Sequence, residues 1–295
     1  MDVSIIIVNF NSSKYTINCI KSIYKFTTDI DFEIIIVDND SDEKDVLSLT
    51  NYLHNKNIVF IKSKNNLGFG GGNHLGYQFA KGDYLAFVNN DAELIENSLL
   101  KLKNYIETDL SIGVLGLHQI NKDGEKFKYS YRQFIGLKYH LLGQSKPENY
   151  YKQQNQELNI PFTVDLVSGA FMFFQTEAYE ISGGFDPNIF LFYEEMDICL
   201  RLKKHGFKTQ FYPNSTFIHY LGKSSANVAL KREFTISYLY VIQKNYHYLY
   251  FIVLRLVLVF KYFFKSIIKP KKYLVSLFIA LKGGNSVVYS MKIKH

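Results

Sequence analysis

Short runs of β-branched and aromatic residues alternate along the first half of the chain with segments whose apolar positions recur at helical spacing. Residues 3–8 (VSIIIV) and 32–37 (FEIIIV) are almost continuously apolar, as strands buried on both faces are, and 58–62 and 84–88 repeat the pattern. Between them, 14–26 carry helical spacing. The polar turn 38–42 leads into a helix ending near His54, and a short helix is expected over 73–80. This alternation predicts a mainly parallel α/β sheet flanked by helices and wound from the N-terminus. A further strand is expected at 112–117. The Tyr- and Gln-rich stretch 121–159 has weak periodicity and reads as an insertion; apolar order returns over 162–174. A helix from Glu194 to His205 ends at Gly206, a suitable residue just past a helix C-terminus.

In such sheets ligands gather beyond the C-terminal ends of the strands. Three polar segments fall there: 9–13, 38–42 and 89–91. Two familiar nucleotide motifs are excluded. Gly68-Phe69-Gly70-Gly71-Gly72-Asn73 begins like the dinucleotide fingerprint, but Asn73 replaces the third glycine and the segment follows the third strand rather than the first. Gly222-Lys223-Ser224-Ser225 looks like the end of a P-loop, but Phe217 stands where its first glycine belongs. What remains is a site of acids and amides. Asp38 can accept the imide N–H of a uracil or thymine ring, or serve only as the turn former of Asp38-Asn39-Asp40-Ser41. In Asn89-Asn90-Asp91, an acid beside two amides at a buried strand's end can hold a hard cation bridged to a diphosphate.

The formal charge of +7 is unevenly distributed. Residues 231–295 hold twelve Lys and Arg against one acid, Glu233, so this segment carries more than the whole excess. Its interleaved residues are aliphatic and aromatic, which favours a membrane surface over nucleic acid. Residues 246–269 are strongly apolar but interrupted by Arg255, Lys261, Lys265 and Lys269, so the uncharged run is too short to span a bilayer. With Lys244, these charges fall on one arc of a helix, which predicts either a basic interfacial helix or a helix packed on the body of the protein. Cys19 and Cys199 stand apart without a ligand pattern and suit a reducing compartment. The start, Met1-Asp2-Val3-Ser4, lacks the basic region of a secretory leader.

Seven ordered segments, SIIIVNFN, VDNDS, NLGFGGGN, NNDAEL, VSGAFMF, GGFDPNIFLFYEEMDICLR and HYLGKSS, resemble family 2 of the inverting, GT-A-fold glycosyltransferases. The resemblance is closest to the rhamnosyltransferase-like branch that builds bacterial surface polysaccharides. It implies a catalytic domain over 1–225, with a nucleotide-binding half (1–117) and an acceptor half (118–225), followed by a membrane-associating helical segment (226–295). It further implies that Asn9, Asn11, Asp38, Asn66, Gly70, Asn73 and Asn89 serve the nucleotide. Asp91 and His219 would hold a divalent cation, Mg or Mn, although the first acid of the family's metal motif is missing. Glu195 maps to the base that takes the acceptor proton, with Glu194 as the competing candidate, while Asp197 is expected to pair with Arg201 or cap its helix. Gly169, Phe185 and Asp186 would shape the acceptor side. The implied partners are a nucleotide-sugar donor, dTDP-rhamnose as first choice with UDP- and GDP-sugars open, and a saccharide or lipid-linked acceptor. The implied place is the cytoplasmic face of the inner membrane; nucleic acid is not expected.

Two alternatives stand beside this. A sugar nucleotidyltransferase would carry a Gly-rich, Arg-containing loop after the first strand, and Asn9-Phe10-Asn11-Ser12-Ser13 has neither residue. A non-catalytic saccharide-binding protein would fit the reduced metal motif but not the retained Asp91, Glu194, Glu195 and His219.

Overall fold

The computed structural model describes residues 1–54, 57–127, 129–143, 160–220 and 228–292. The N-terminal half runs β1 (Val3–Asn9), α1 (Ser13–Phe26), β2 (Phe32–Asp38), α2 (Glu43–Leu53), β3 (Ile58–Lys62), α3 (Gly68–Tyr77), β4 (Tyr84–Val88), β5 (Ala92–Leu94), α4 (Ser98–Ile106) and β6 (Ile112–Ile120). Then follow β7 (Tyr131–Arg132), α5 (Leu137–Leu142), β8 (Phe162–Thr163), β9 (Leu166–Val167), β10 (Phe171–Gln175), α6 (Thr176–Ile181), α7 (Glu194–Lys204) and β11 (Lys208–His219). Three helices close the chain: α8 (Val228–Asn245), α9 (Tyr248–Ile268) and α10 (Pro270–Lys282), before a 3₁₀ turn at Gly283–Tyr289.

The main sheet has the order β3-β2-β1-β4-β10-β6-β11-β5, with β8 beside β11. β1 to β4 pair in parallel, and β6 pairs in parallel with β11, while β10 runs antiparallel between β4 and β6. The sheet is therefore mainly parallel, and every strand predicted from the apolar runs is present. Ile5, Ile7 and Ile36 face one core with α1, α2 and α4, and Ile6, Ile35 and Phe87 face the other. Both faces are covered, hence the unbroken isoleucine runs.

Two expectations are modified. α3 begins at Gly68, five residues before the expected start, and so absorbs the glycine run. Helix propensity argues against this, but close packing favours glycine there: a Cβ on Gly68 would overlap Phe190 O, and one on Gly72 would lie 3.0 Å from Val8 Cγ1. The insertion is partly ordered: β7 pairs antiparallel with β9 as a second small sheet, while 144–159 lie outside the described residues. The end of the segment HYLGKSS, the P-loop-like 222–225 and the expected boundary at 225/226 also lie outside them.

Among the described residues no helix is long and apolar enough to cross a membrane. The C-terminal helices pack on the body: the core that holds Phe87 and Tyr179 continues through α7 to Ile236, Leu239 and Leu254. The five charges expected on one helical arc are divided: Lys244 lies on α8 and the others on or just past α9, and Lys244, Arg255 and Lys261 contact protein while Lys265 and Lys269 are exposed. Lys244 Nζ donates to Asp186 (2.7 Å) and Asp197 (3.0 Å), and Arg255 donates to the carbonyls of Ala280 and Leu281. Lys261 Nζ lies 3.2 Å from His140 Nδ1. Burial, reinforced by Lys261 and Lys265, pushes the pKa of that imidazole down to about 4, so it accepts.

Candidate active site

At the C-terminal ends of β1, β2 and β4 lies a groove of about 710 Å³. Its polar wall is amide-rich, with Asn11, Asn39, Asn66, Asn89 and Asn90, and Phe10, Phe69, Phe190 and Leu191 supply apolar surface. Leu230 of α8 and Met291 beyond α10 also line it, so the C-terminal segment forms part of its rim. No carboxylate among the described residues lines the groove. Its chemistry suits a neutral, hydrogen-bonding and partly apolar ligand portion, such as a nucleoside.

Beneath the groove, buried polar side chains fasten the strand ends together. Asn9 Nδ2 donates to Asp38 Oδ1 (3.0 Å), Ser41 Oγ (3.2 Å) and Asp45 Oδ2 (2.8 Å), while its Oδ1 accepts from Thr16 (2.7 Å). Asn9 is thus fully engaged and solvent-inaccessible. It holds the floor rather than touching a nucleoside, which corrects the expected contact. Burial pushes the Asp45 carboxyl up, but the hydrogen bonds from Asn9 and Ser13 outweigh it and hold it below the usual range. Asp38 is equally buried and also accepts from Ser41 N (3.2 Å), so it performs the turn-forming role within these contacts. Gly70 and Asn73 face protein too: a Cβ on Gly70 would meet Ile189 O at 3.3 Å, and Asn73 Nδ2 donates to Phe69 O (3.0 Å). Of the seven residues expected to serve the nucleotide, Asn11, Asn66 and Asn89 line the groove.

Sequence reasoning placed Asn39, Asn90 and Ser12 in the strand-end segments but assigned none of them to the nucleotide. Asn39 Nδ2 donates to Asn66 Oδ1 and Gly68 O (both 3.0 Å), and Asn90 Nδ2 donates to Ser12 Oγ (2.6 Å). Each sits one residue from a singled-out position, and the available signal was the paired amide at a strand exit. Leu230 and Met291 carried no such signal, because only the fold brings them there.

Just past β4, Asp91 Oδ1 lies 3.1 Å from His219 Nε2, and Asn89 Nδ2 is 3.3 Å from the same nitrogen. His219 Nδ1 is 2.9 Å from Gln119 Oε1, an oxygen that only accepts, so Nδ1 carries the proton. The Nε2 edge of the ring thus faces both the Asn89 amide and the Asp91 carboxylate, and a divalent cation between acid and ring would suit that pair. Asn89 Oδ1 is buried without a partner among the described residues. The donor set therefore fits a hard cation, although no group of three or more His, Cys, Asp and Glu side chains is gathered among the described residues.

The two glutamates open α7 after a strained turn. Phe192 and Tyr193 both adopt left-handed backbone (φ 71° and 65°), which costs bulky residues about 1–2 kcal/mol each. α8 holds this turn: Ser237 Oγ donates to Leu191 O (2.8 Å), and the Tyr193 ring packs on Phe234 and Tyr238. The turn separates the carboxylates. Glu195 Oε1 accepts from Arg132 of β7 at 2.6 Å, in a small cavity with Gln133, Leu166 and Met196. Glu194 is buried, and its Oε2 has no partner among the described residues. Burial, and then the charge of Glu195, raise its pKa well above the ordinary carboxylate value. Neither carboxylate lines the groove.

Asp197 pairs with Arg201 at 2.6 Å, as expected. On the acceptor side, Gly169 lies against the Phe69 ring. Phe185, in contrast, is wholly buried among Phe87, Phe174 and Tyr179, and Asp186 is taken up by Lys244 and Tyr240 (2.9 Å). Both are scaffold residues, because a T-shaped aromatic cluster and a paired carboxylate leave nothing to offer a saccharide.

A parallel sheet with an antiparallel β10, an amide-walled groove at its C-terminal edge and an acid–His pair beside that groove define a nucleotide-sugar transferase fold. The profile of Glycosyl transferase family 2 matches residues 4–180, and the chain belongs to this family. Rhamnosyltransferase WbbL of Escherichia coli K12 is 27% identical over 170 residues, covering 57% of this chain and 60% of that protein. The crystal structure of GalNAc-T7 with UDP, GalNAc and Mn2+ superposes with a TM-score of 0.64 at 19% identity, over 82% of this chain and 48% of that one. The mannosyltransferase PcManGT of Pyrobaculum calidifontis, with GDP-Man and Mn2+, gives 0.57 at 14%, over 82% and 63%. The chain thus spans about half to two-thirds of the length of these proteins, and the two structures establish the GT-A fold.

Proposed function

We propose that the chain catalyses inverting transfer of a sugar from a nucleoside diphosphate to a hydroxyl of a saccharide or lipid-linked saccharide. The observation that carries this reading is the Asn89–Asp91–His219 cluster beside the amide-walled groove, in a chain of this family. Asn11, Asn39, Asn66 and Asn90 would bind the nucleoside and ribose; Asn89, Asp91 and His219 would hold a divalent cation, Mg or Mn. When bound, such an ion neutralises the diphosphate leaving group.

Glu195 is the base. The acceptor oxygen bonds to the anomeric carbon as the bond to the diphosphate oxygen breaks with its electron pair, and the hydroxyl proton passes to Glu195. Glu194, buried and with a raised pKa, is the competing candidate. Arg132 directs the Glu195 carboxylate and must yield part of it to the incoming hydroxyl. Glu195→Gln is expected to abolish transfer while donor binding persists. Near-normal turnover in that variant would overturn the assignment.

Similarity to a rhamnosyltransferase makes dTDP-rhamnose the first donor to test, with UDP- and GDP-sugars alongside it. Thermal stabilisation by each nucleotide sugar, with Mn2+ and with chelator, selects among them, because a ligand that binds only the folded state raises its stability. A lipid-linked acceptor would put the enzyme at the cytoplasmic face of the inner membrane.

A further inference from the structure

The outer face of the α9–α10 hairpin is apolar where the inward face is charged. Leu249, Val253, Leu256, Phe260, Phe264 and Ile267 recur at intervals of three and four and are all exposed, so they form one stripe along α9. On α10, Leu274, Phe278 and Leu281 repeat the spacing and are exposed too. Soluble surfaces scatter such residues singly, and a stripe of this length indicates a partner.

The charges around the stripe restrict what that partner is. Lys265, Lys269, Lys271, Lys272 and Lys282 are exposed on or next to the hairpin. The only acid between residues 228 and 292 is Glu233, which is buried and accepts from Ser290 Oγ and Met291 N (both 2.8 Å). A second copy docked by this face would oppose lysines to lysines with no acid to separate them. An anionic bilayer offers an apolar interior to the stripe and phosphates to the lysines.

We propose that the α9–α10 hairpin lies in the plane of an anionic lipid surface, with the Leu249–Ile267 stripe inserted and Lys265, Lys269, Lys271 and Lys272 at the headgroups. This deepens the proposed function, on which the lipid-linked nature of the acceptor rests. Lys261, against His140 of α5, and Tyr250, whose hydroxyl accepts from Leu137 N (2.7 Å), fix α9 to the catalytic body, while Arg255 ties α9 to α10 through the carbonyls of Ala280 and Leu281. Because Leu230 and Met291, on either side of the hairpin in the chain, both line the groove, the groove's rim is tied to the lipid-facing element.

Co-sedimentation of the full chain with vesicles of phosphatidylglycerol and phosphatidylcholine tests this directly. The wild-type chain is expected to bind the mixed vesicles and to bind pure phosphatidylcholine weakly. Phe260→Glu combined with Phe264→Glu removes two large apolar insertions and should weaken binding by about 100-fold or more. Lys269→Glu, Lys271→Glu and Lys272→Glu together should abolish the preference for anionic vesicles, a loss of about 100-fold. Leu110→Glu, equally exposed but before β6, should bind as wild type. All these sites are at the surface, and circular dichroism reports retained folding. A wild-type chain that stays in the supernatant with both vesicle types overturns the proposal. So does a stable dimer that the Phe260/Phe264 variant dissociates, which would make the face a subunit interface. Hydrolysis of the donor in the absence of vesicles is read on the same variants: its retention with loss of binding supports a purely docking role, whereas its absence in wild type counts against the transferase reading and leaves the lipid result standing.

Discussion

Lys244→Met tests whether the C-terminal helices are fixed to the catalytic body by charge. The Lys244 ammonium bridges Asp186 and Asp197, the second fully buried, and methionine keeps the apolar stem while deleting both bonds. Removing the partner of a buried ion pair costs about 3–5 kcal/mol when it strands the remaining charge. Here Asp197 keeps Arg201 and Asn245, Asp186 keeps Tyr240 and the Asn188 amide, and the lysine is partly exposed. The expected loss is therefore smaller, about 2 kcal/mol. With a urea m-value of about 3 kcal/mol/M for a chain of this size, the midpoint falls by about 0.7 M. The effect also carries a pH signature. Burial pushes the Asp186 carboxyl up, but the Lys244 bond leads the contributions that hold it below its ordinary value. A depressed folded-state pKa contributes stability above the unfolded pKa, near 4, and loses it as pH falls through the folded value. Wild type and variant should thus differ fully at pH 7 and converge below about pH 4. A midpoint change under about 0.2 M at pH 7, or a difference independent of pH, would refute the reasoning.

Three further outcomes follow from the geometry. Gly76→Val should destabilise by about 1–3 kcal/mol in thermal melts despite valine's better helix propensity, because α3 must lift off Ile6 and Val37. Asp91→Asn should remove the Mn2+-dependent part of donor-induced stabilisation in thermal melts, the full stabilisation at a ligand concentration of 100 Kd being about 2.7 kcal/mol. Arg132→Ala should lower kcat by about 10–100-fold with little change in donor KM, since it releases the Glu195 carboxylate from its position.

The sheet was legible because its strands are buried on both faces, and period and composition then agree: Ile5–Ile7 and Ile34–Ile36 admit no other element of that length. The start of α3 was not legible, since glycine propensity points away from helix and the contacts at its start, Gly68 against Phe190 and Gly72 against Val8, join residues far apart in the chain. In the site, the chemistry-bearing positions could be read, but their depth could not. Asn9 and Asn11 stand two residues apart, yet one is wholly enclosed beneath the groove and the other lines it. Strand alternation would put both on one side; β1 ends at Asn9, and Asn11, with φ 49°, turns the chain out instead. Phe185 and Asp186 show the same gap: nothing local signals that a distant Lys244 consumes the acid.

That distant lysine also bears on how the site is built. α8 supplies Lys244 to Asp186 and Asp197, Ser237 to the carbonyl of Leu191, and aromatic rings to Tyr193, and these contacts bracket the left-handed turn that delivers Glu194 and Glu195. Two consecutive bulky residues in that backbone region do not hold themselves there; the surroundings must over-determine them. On its other side the same segment meets α3, where Phe69 N donates to Phe190 O (2.9 Å) and Gly68, at φ 74°, leaves no room for a Cβ against that carbonyl. The turn is therefore clamped between the glycine helix of the groove and the first C-terminal helix. A chain cut before α8 would keep the groove's amides and the Asp91–His219 pair but lose the clamp. The expected result is a protein that still responds to nucleotide in thermal melts and no longer transfers sugar. Full transfer by such a truncation would show that the body alone holds the glutamates in place.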